Sequence, residues 1–367
     1  MPLHKVIISG GGTGGHIFPA IAIANKIKEK YPDCEILFVG AEGKMEMEKV
    51  PKAGYKIVGL PIRGLQRKLT LKNFAVPFKL IQSLMRSKKI VKSFKPDIAI
   101  GVGGYASAAV VRVAAKKKVP TLVQEQNSYP GITNKILGKK AKTICVAYDN
   151  LERFFDKNKI VKTGNPVRSE VVQIEGKRTE AFQYFGLKED KKTVLIIGGS
   201  LGARTLNESL KLHVKELIEK DIQVIWQCGK GYLQNLKPFV EELNSPNVYL
   251  SDFVYKMDLA YAAADIIVSR AGAMSVSEVC LIGKPVILVP SPNVSEDHQT
   301  KNAMALVNED AAILVKDVES RESIVNKIIE VLENEEQCKS LSENILKLGI
   351  ADAPDRILIE IEKIINK

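Results

Sequence analysis

The sequence has no apolar run long enough to span a bilayer. It has no CxxC pair either. Its five cysteines, Cys34, Cys145, Cys228, Cys280 and Cys338, are odd in number and scattered, which argues against a disulfide framework or a zinc site and fits a reducing compartment. DxD, HExxH and Walker A patterns are missing, so the residues indicate no metal constellation. The opening MPLHKVIISGGG reads as the start of a strand, not as a signal peptide. The most informative absence is local. Between Glu48 and Asp97 there is no acidic residue, yet the stretch holds 13 of the 54 basic residues. The formal charge of +12 therefore sits in one patch and the rest of the chain is close to neutral. Such a patch calls for an anionic partner: a membrane surface, a nucleic acid or a phosphorylated substrate.

What is present is an alternation. Short β-branched runs, nearly continuous in apolar residues, alternate with longer amphipathic stretches, as in βαβ units with strands buried on both faces. The first set of predicted strands is Val6–Ser9, Ile36–Val39, Ile98–Val102, Thr121–Gln124 and Thr143–Tyr148. The second is Thr193–Ile197, Gln223–Gln227, Val248–Ser251, Ile266–Ser269, Val286–Val289 and Ala312–Val315. VIISGGGTGGH and TVLIIGGSLGAR each read strand, glycine loop, helix, so the plan starts over near the middle. At 367 residues, two domains are expected. The fold class is α/β, two doubly wound Rossmann-like domains facing a cleft, with domains 1–165 and 166–350 and a linker near Gly164–Arg168. An amphipathic helix near Asp355–Ile365, within 351–367, either finishes the second domain or packs back on the first.

Several junctions carry chemistry. Gly10–His16 lies between a strand and a helix expected from about Ile17. Glycines let backbone N–H groups approach a ligand, and a helix N-terminus favours negative charge. Gly10, Gly12 and Gly15 also match the dinucleotide fingerprint GxGxxG, with Glu42 as an approximate ribose acid. His16 is one of four histidines and stands at the helix entry, where an imidazole can act as a general base. GVGGYAS, Gly101–Ser107, reads equally as a turn or as a ligand contact. Glu125, Gln126 and Asn127 suit a sugar, or a solvated loop. Ser200 adds a hydroxyl to the second glycine loop. In SRAGAMSVSE, Ser269–Glu278, a helix expected near Ser275 would face a diphosphate, and Glu278 could accept two hydrogen bonds from a ribose. His298, Gln299 and Asn302 form a polar group at another junction, with Asp297 as a possible N-cap.

Together, GGGTGGH, GVGGYAS, EQN, GNPVR, GGSLGAR, SRAGAMSVSE and HQTKNA resemble, in this order and over essentially the whole chain, the peptidoglycan N-acetylglucosaminyltransferase family. The resemblance implies the GT-B fold, with UDP-N-acetylglucosamine held mainly by the second domain and the acceptor by the first. The acceptor would be undecaprenyl-pyrophosphoryl-N-acetylmuramyl-pentapeptide, glycosylated at its 4-hydroxyl with inversion to give lipid II. Thr13, Gly14 and Gly15 would lie near the donor's sugar and diphosphate. Asn127, Arg168 and Ser200 match donor-contact positions, and Val254 matches the position beside the uracil. Ala273, Met274, Ser275, Val276, Ser277 and Glu278 would line the nucleotide, and Gln299 would read the sugar hydroxyls. Gly103, Gly104, Tyr105 and Glu125 are the acceptor-side candidates, and His16 the base. Members of the family often have histidine where this chain has Gln124, which shifts weight to His16. No cofactor is required, although a divalent cation could stimulate.

The acid-free stretch is expected to dock the first domain on anionic lipid of the inner leaflet, at the cytoplasmic face of the cell membrane. Leu71, Phe74, Phe78, Ile81 and Met85 recur at helical spacing, with Lys72, Lys79 and Arg86 as a basic stripe beside them. Pro77 fits a first helical turn. The alternative is a core-facing helix with a solvated basic side. Two further readings are a nicotinamide-dependent dehydrogenase and a nucleic-acid binder; the patch lacks a nucleic-acid motif, so no nucleic-acid partner is expected.

Overall fold

The computed structural model describes residues 2–62, 75–199 and 201–366. They form two compact units, Met1–Arg168 with Asp352–Lys367, and Ser169–Ala351. The boundary thus falls a few residues beyond 165/166.

The first unit is built on seven strands: β1 (Lys5–Gly10), β2 (Glu35–Ala41), β3 (Lys56–Leu60), β4 (Ile98–Gly103), β5 (Thr121–Glu125), β6 (Thr143–Val146) and β7 (Ile160–Lys162). Their order is β3-β2-β1-β4-β5-β6-β7 and every pairing is parallel. Val6, Ile7 and Ile8 show why β1 sits centrally. All three are buried, and alternate side chains enter different clusters, Val6 and Ile8 on one face and Ile7 on the other. The chain runs outward from β1 to β3 and then returns to place β4 on β1's other side. That reversal opens a crevice at the carboxyl ends of β1 and β4, where open α/β sheets bind ligands.

The second unit repeats the plan with β8 (Thr193–Ile197), β9 (Gln223–Gln227), β10 (Val248–Ser251), β11 (Ile266–Ser269), β12 (Val286–Leu288) and β13 (Ile313–Leu314). The order β10-β9-β8-β11-β12-β13, again parallel, puts the switch between β8 and β11. An apolar cluster covers each face of this sheet too.

Three local readings are corrected. Edge strands β3 and β7 were not anticipated, and the run Thr143–Tyr148 pairs only as far as Val146. The first helix begins at Gly14, three residues before Ile17, so His16 lies inside its first turn. The helix expected from Ser275 begins at Ala273.

The helix Ala353–Ile365 belongs to the first unit. Ile357, Leu358 and Ile361 enter the cluster that holds Ile17, Ala20 and Ile27. Asp355 pairs with Lys26 at 2.8 Å, while Glu362 pairs with Lys30 at 2.6 Å and accepts the Tyr31 hydroxyl at 2.6 Å. All five cysteines are free thiols. Burial pushes Cys34 and Cys228 up to about 11 and Cys280 to about 12, so all three stay protonated at neutral pH. Among the described residues, no helix is long and apolar enough to cross a membrane.

Candidate active site

The first crevice is shaped by β1 and β4. Thr13 precedes the helix Gly14–Lys30 in an extended conformation, placing Gly14, Gly15 and His16 in its first turn. Nδ1 of His16 lies 3.0 Å from the Gly11 carbonyl oxygen. A carbonyl can only accept, so in the neutral ring Nδ1 carries the hydrogen and Nε2 the lone pair. His16 is half-buried. Gly103 (φ +107°) and Gly104 (φ +86°), at the end of β4, face this loop. A Cβ on Gly103 would lie 2.7 Å from His16 Nε2, and one on Gly104 would lie 2.6 Å from the Gly11 oxygen. Close packing thus explains both glycines, whereas Tyr105 beside them is 52% exposed. Gly104→Ala is expected to cost about 1–3 kcal/mol, from the positive φ and the backbone contact together. Thermal unfolding checks it; an unchanged Tm would show that the loop yields.

Glu46 belongs to this site and was not anticipated. Its side chain is fully buried beneath the glycine loop, with Oε2 accepting the Gly12 N–H and Oε1 the Ala41 N–H, each at 2.9 Å. Its carboxylate therefore takes an N–H that a dinucleotide pyrophosphate would use. Glu42, the approximate ribose acid, pairs instead with Arg86 at 2.6 Å. Both contacts speak against the dehydrogenase reading.

Past β5, Glu125 turns inward. One oxygen accepts the backbone and side-chain N–H groups of Asn127, and the other accepts Gly131 N–H and the Asn134 amide. Its carboxylate holds its own loop together; Asn127 is the half-buried member. Gln124 is fully buried and donates to Asn165 of GNPVR at 3.0 Å, while Asn165 donates to the Gln126 carbonyl at 3.0 Å. The amide at this position ties β5 to the end of the unit and has no acid/base function. Arg168 stacks over Phe18 at 4.6 Å.

In the second unit, Ser200 lies outside the described residues. The helix Ala273–Ile282 follows β11 through Gly272, and its first-turn N–H groups have no intrahelical acceptor. Ala273, Met274 and Val276 are buried, whereas Ser275, Ser277 and Glu278 are half-buried. Glu278 is the sixth residue of this helix, beyond the first turn, so dipole compensation does not account for it. Its Oε2 accepts the Tyr261 hydroxyl at 2.9 Å. Gln299 accepts the Ser291 N–H at 2.8 Å, which turns its amide nitrogen the other way. Asn302 is buried and donates to the Ala271 carbonyl, so it braces the loop. Asp297 is in the left-handed region, and its carboxylate takes the Thr300 hydroxyl, not a helix N–H, so the N-cap reading is corrected. Val254 is 3% exposed and packs in the core, so its side chain shapes the floor of this end of the sheet. Arg270, which sequence reasoning passed over, donates to the Val289 carbonyl, the Thr205 hydroxyl and Asp317, joining the ends of β11 and β12 to two helices. Among the described residues, no group of three or more His, Cys, Asp or Glu could hold a metal ion.

Leu71, Lys72 and Phe74 lie outside the described residues. The helix Ala75–Phe94 begins two residues before Pro77, within whose first turn the proline falls. Phe78, Ile81 and Met85 are 77%, 57% and 62% exposed, while Ser83, Ser87, Ile90 and Val91 face inward. Phe78, Ile81 and Met85 thus point outward beside inward hydroxyls, the reverse of a core-facing helix, whereas Ile90 and Val91 further along pack in the core. Lys79 is half-buried, and Arg86 is held by Glu42.

Residues 6–146 match the glycosyltransferase family 28 N-terminal domain, and residues 193–357 match its C-terminal domain. The chain is 54% identical over 366 residues, 100% of its own length and 99% of the relative's, to a Flavobacterium psychrophilum protein. That protein is named UDP-N-acetylglucosamine–N-acetylmuramyl-(pentapeptide) pyrophosphoryl-undecaprenol N-acetylglucosamine transferase. A Parabacteroides distasonis protein of the same name is 53% identical, over 100% of both chains. Among solved structures, Acinetobacter baumannii MurG superposes with a TM-score of 0.76 at 26% identity, covering 99% of this chain and 100% of that one. Two doubly wound sheets, the helix-entry histidine beside β1 and the glycine junction after β11 thus accompany a full-length match, and the chain belongs to glycosyltransferase family 28, among the N-acetylglucosamine transferases of this name.

Proposed function

We propose that this chain transfers N-acetylglucosamine from UDP-N-acetylglucosamine to the 4-hydroxyl of the muramyl sugar in undecaprenyl-pyrophosphoryl-N-acetylmuramyl-pentapeptide, forming lipid II with inversion. The observation that carries the chemistry is the Nδ1 contact of His16, which leaves Nε2 as the basic nitrogen at the carboxyl end of β1. Nε2 takes the proton of the attacking hydroxyl, the new C–O bond forms at the anomeric carbon, and the bond to the diphosphate breaks with its electron pair on UDP. The first-turn N–H groups of Ala273–Ile282 stabilise the charge growing on the leaving group. Glu278 accepts from the ribose hydroxyls, and Gln299 reads the sugar. Thr13, Gly14, Gly15, Asn127, Arg168 and Ser200 complete the donor contacts, while Tyr105, with Gly103 and Gly104, faces the acceptor. The second unit holds the donor and the first the acceptor. No resident cofactor is required, and a soluble divalent cation acts as a stimulant only. The test is incubation of the protein with labelled UDP-N-acetylglucosamine and a lipid I analogue. A disaccharide with a β linkage is expected; no transfer, or an α linkage, overturns the reading.

The outward apolar face of Ala75–Phe94 supports peripheral docking on anionic lipid of the inner leaflet rather than on nucleic acid. Basic residues near such a surface contribute about 1 kcal/mol each, and inserted apolar side chains add to this. Because Glu42 already compensates Arg86, the apolar residues are the better target. Binding to anionic vesicles is expected to fall about tenfold or more in the Phe78→Ser, Ile81→Ser, Met85→Ser triple variant. Co-sedimentation at two salt concentrations measures it. Equal binding by the variant rules this face out, and equal binding to neutral vesicles rules out electrostatic docking through it.

A further inference from the structure

The peptide group joining Gly11 to Gly12 is gripped at both ends. Its N–H donates to Oε2 of Glu46 at 2.9 Å, and its carbonyl oxygen accepts from Nδ1 of His16 at 3.0 Å. The pocket for the carboxylate is made by missing side chains on two strand ends. A Cβ on Gly11 would lie 2.2 Å from Glu46 Oε1, and one on Gly40 would lie 2.5 Å from its Cγ. Ala41 N–H fixes the other carboxylate oxygen at 2.9 Å. Gly104 packs against the same peptide group: a Cβ there would lie 2.6 Å from the Gly11 oxygen and 3.3 Å from its carbonyl carbon. The peptide therefore cannot rotate without breaking several contacts.

A peptide group is planar because its N–H and C=O share one resonance system. An anion accepting from the N–H drives electron density toward the oxygen, and hydrogen bonds in a chain polarise one another. The Gly11 oxygen is thereby a stronger acceptor for an imidazole N–H than an ordinary carbonyl. In a Ser-His-Asp triad the carboxylate itself holds the histidine in the working tautomer; here one peptide group would stand between them. Other charges near this helix are otherwise engaged. Its first turn has no acidic residue. Glu48 pairs with Lys52, and Asp355 and Glu362 pair with Lys26 and Lys30 toward the far end of the helix.

We propose that Glu46 is a positioning residue that acts through the Gly11–Gly12 peptide group to lock His16 as the Nδ1–H tautomer, presenting the Nε2 lone pair to the acceptor hydroxyl. The proposal rests on the reading of His16 as the base. Nitrogen-15 NMR of the His16 ring tests the lock without relying on activity. Wild-type protein should show the Nδ1–H tautomer alone. Glu46→Gln keeps the shape, but its amide NH2 confronts one of the two N–H donors. The variant should show a mixture with the Nε2–H form and a kcat lower by about tenfold or more, with the donor KM held within about twofold. A wild-type Nε2–H tautomer overturns the proposal, as does a folded Glu46→Gln that keeps both its tautomer and its kcat. Should that variant fail to fold, Glu46→Asp, which keeps the charge but is one methylene shorter, is read by the same criteria. If His16→Ala retains activity while Glu46→Gln shifts the tautomer, the lock stands and the base reading falls.

Discussion

Replacing His16 by alanine is expected to lower kcat by about 10²–10⁴-fold while leaving UDP binding intact. The imidazole is half-buried, its Nδ1 is spent on the Gly11 carbonyl, and Nε2 is what remains for chemistry. Alanine removes the base and also the donor to Gly11, so a drop in activity alone would not separate the two losses. His16→Asn does, because an asparagine amide can still donate toward Gly11 yet has no basic nitrogen. Both variants should lose kcat to a similar degree, with thermal stability near wild type in the asparagine variant. Steady-state kinetics with saturating donor and calorimetric titration of UDP supply the measurements. A kcat within a few-fold of wild type in either variant would take His16 out of the mechanism.

The second large effect is expected at Glu278. Its carboxylate stands in the second turn of Ala273–Ile282 and accepts the hydroxyl of buried Tyr261. A carboxylate offers about four lone-pair sites, enough for Tyr261 and a ribose diol together. Glu278→Ala should lower kcat/KM for the donor by about 1.5–3 kcal/mol, the loss of a charged hydrogen bond, or roughly 10- to 150-fold. The variant also removes the acceptor of the Tyr261 hydroxyl. Tyr261→Phe therefore serves as the control, and it should leave kcat/KM within a few-fold. A donor with 2′-deoxyuridine sharpens the test: wild type should discriminate against it and Glu278→Ala should not. Unchanged donor kinetics in a folded Glu278→Ala would sink the assignment.

The central strands were legible because burial on both faces leaves an unbroken apolar run, as in Val6–Ile8 and Thr193–Ile197. The edges were not. β7 is Ile160–Lys162, three half-buried or exposed residues, and β3 crosses the basic stretch with Lys56 at its start. An edge strand packs on fewer neighbours and so needs fewer apolar residues. Both misplaced helix starts have one cause: Gly14, Gly15 and Ala273 read as loop, although a helix's first turn tolerates small residues before propensity matters. Glu46 could not be singled out from MEMEKV, where it looks like Glu48, a solvated helix charge. Its role depends on Gly11 and Gly40, brought together only when β1 pairs with β2. The partners of Glu125 were hidden for a different reason. It stands where a ligand contact was expected, but the turn it precedes consumes both of its oxygens.

Because the first unit is completed by Ala353–Ile365, its folding follows an order set by translation. Residues 169–351 emerge from the ribosome before the segment that covers Ile17, Ala20 and Ile27. During that interval the apolar flank of the helix Gly14–Lys30 is uncovered, Lys30 lacks Glu362, and Lys26 has only Glu29 of its two carboxylate partners. The unit synthesised second can therefore close first, and the nascent chain carries an unfinished nucleus until Ala353–Ile365 is released.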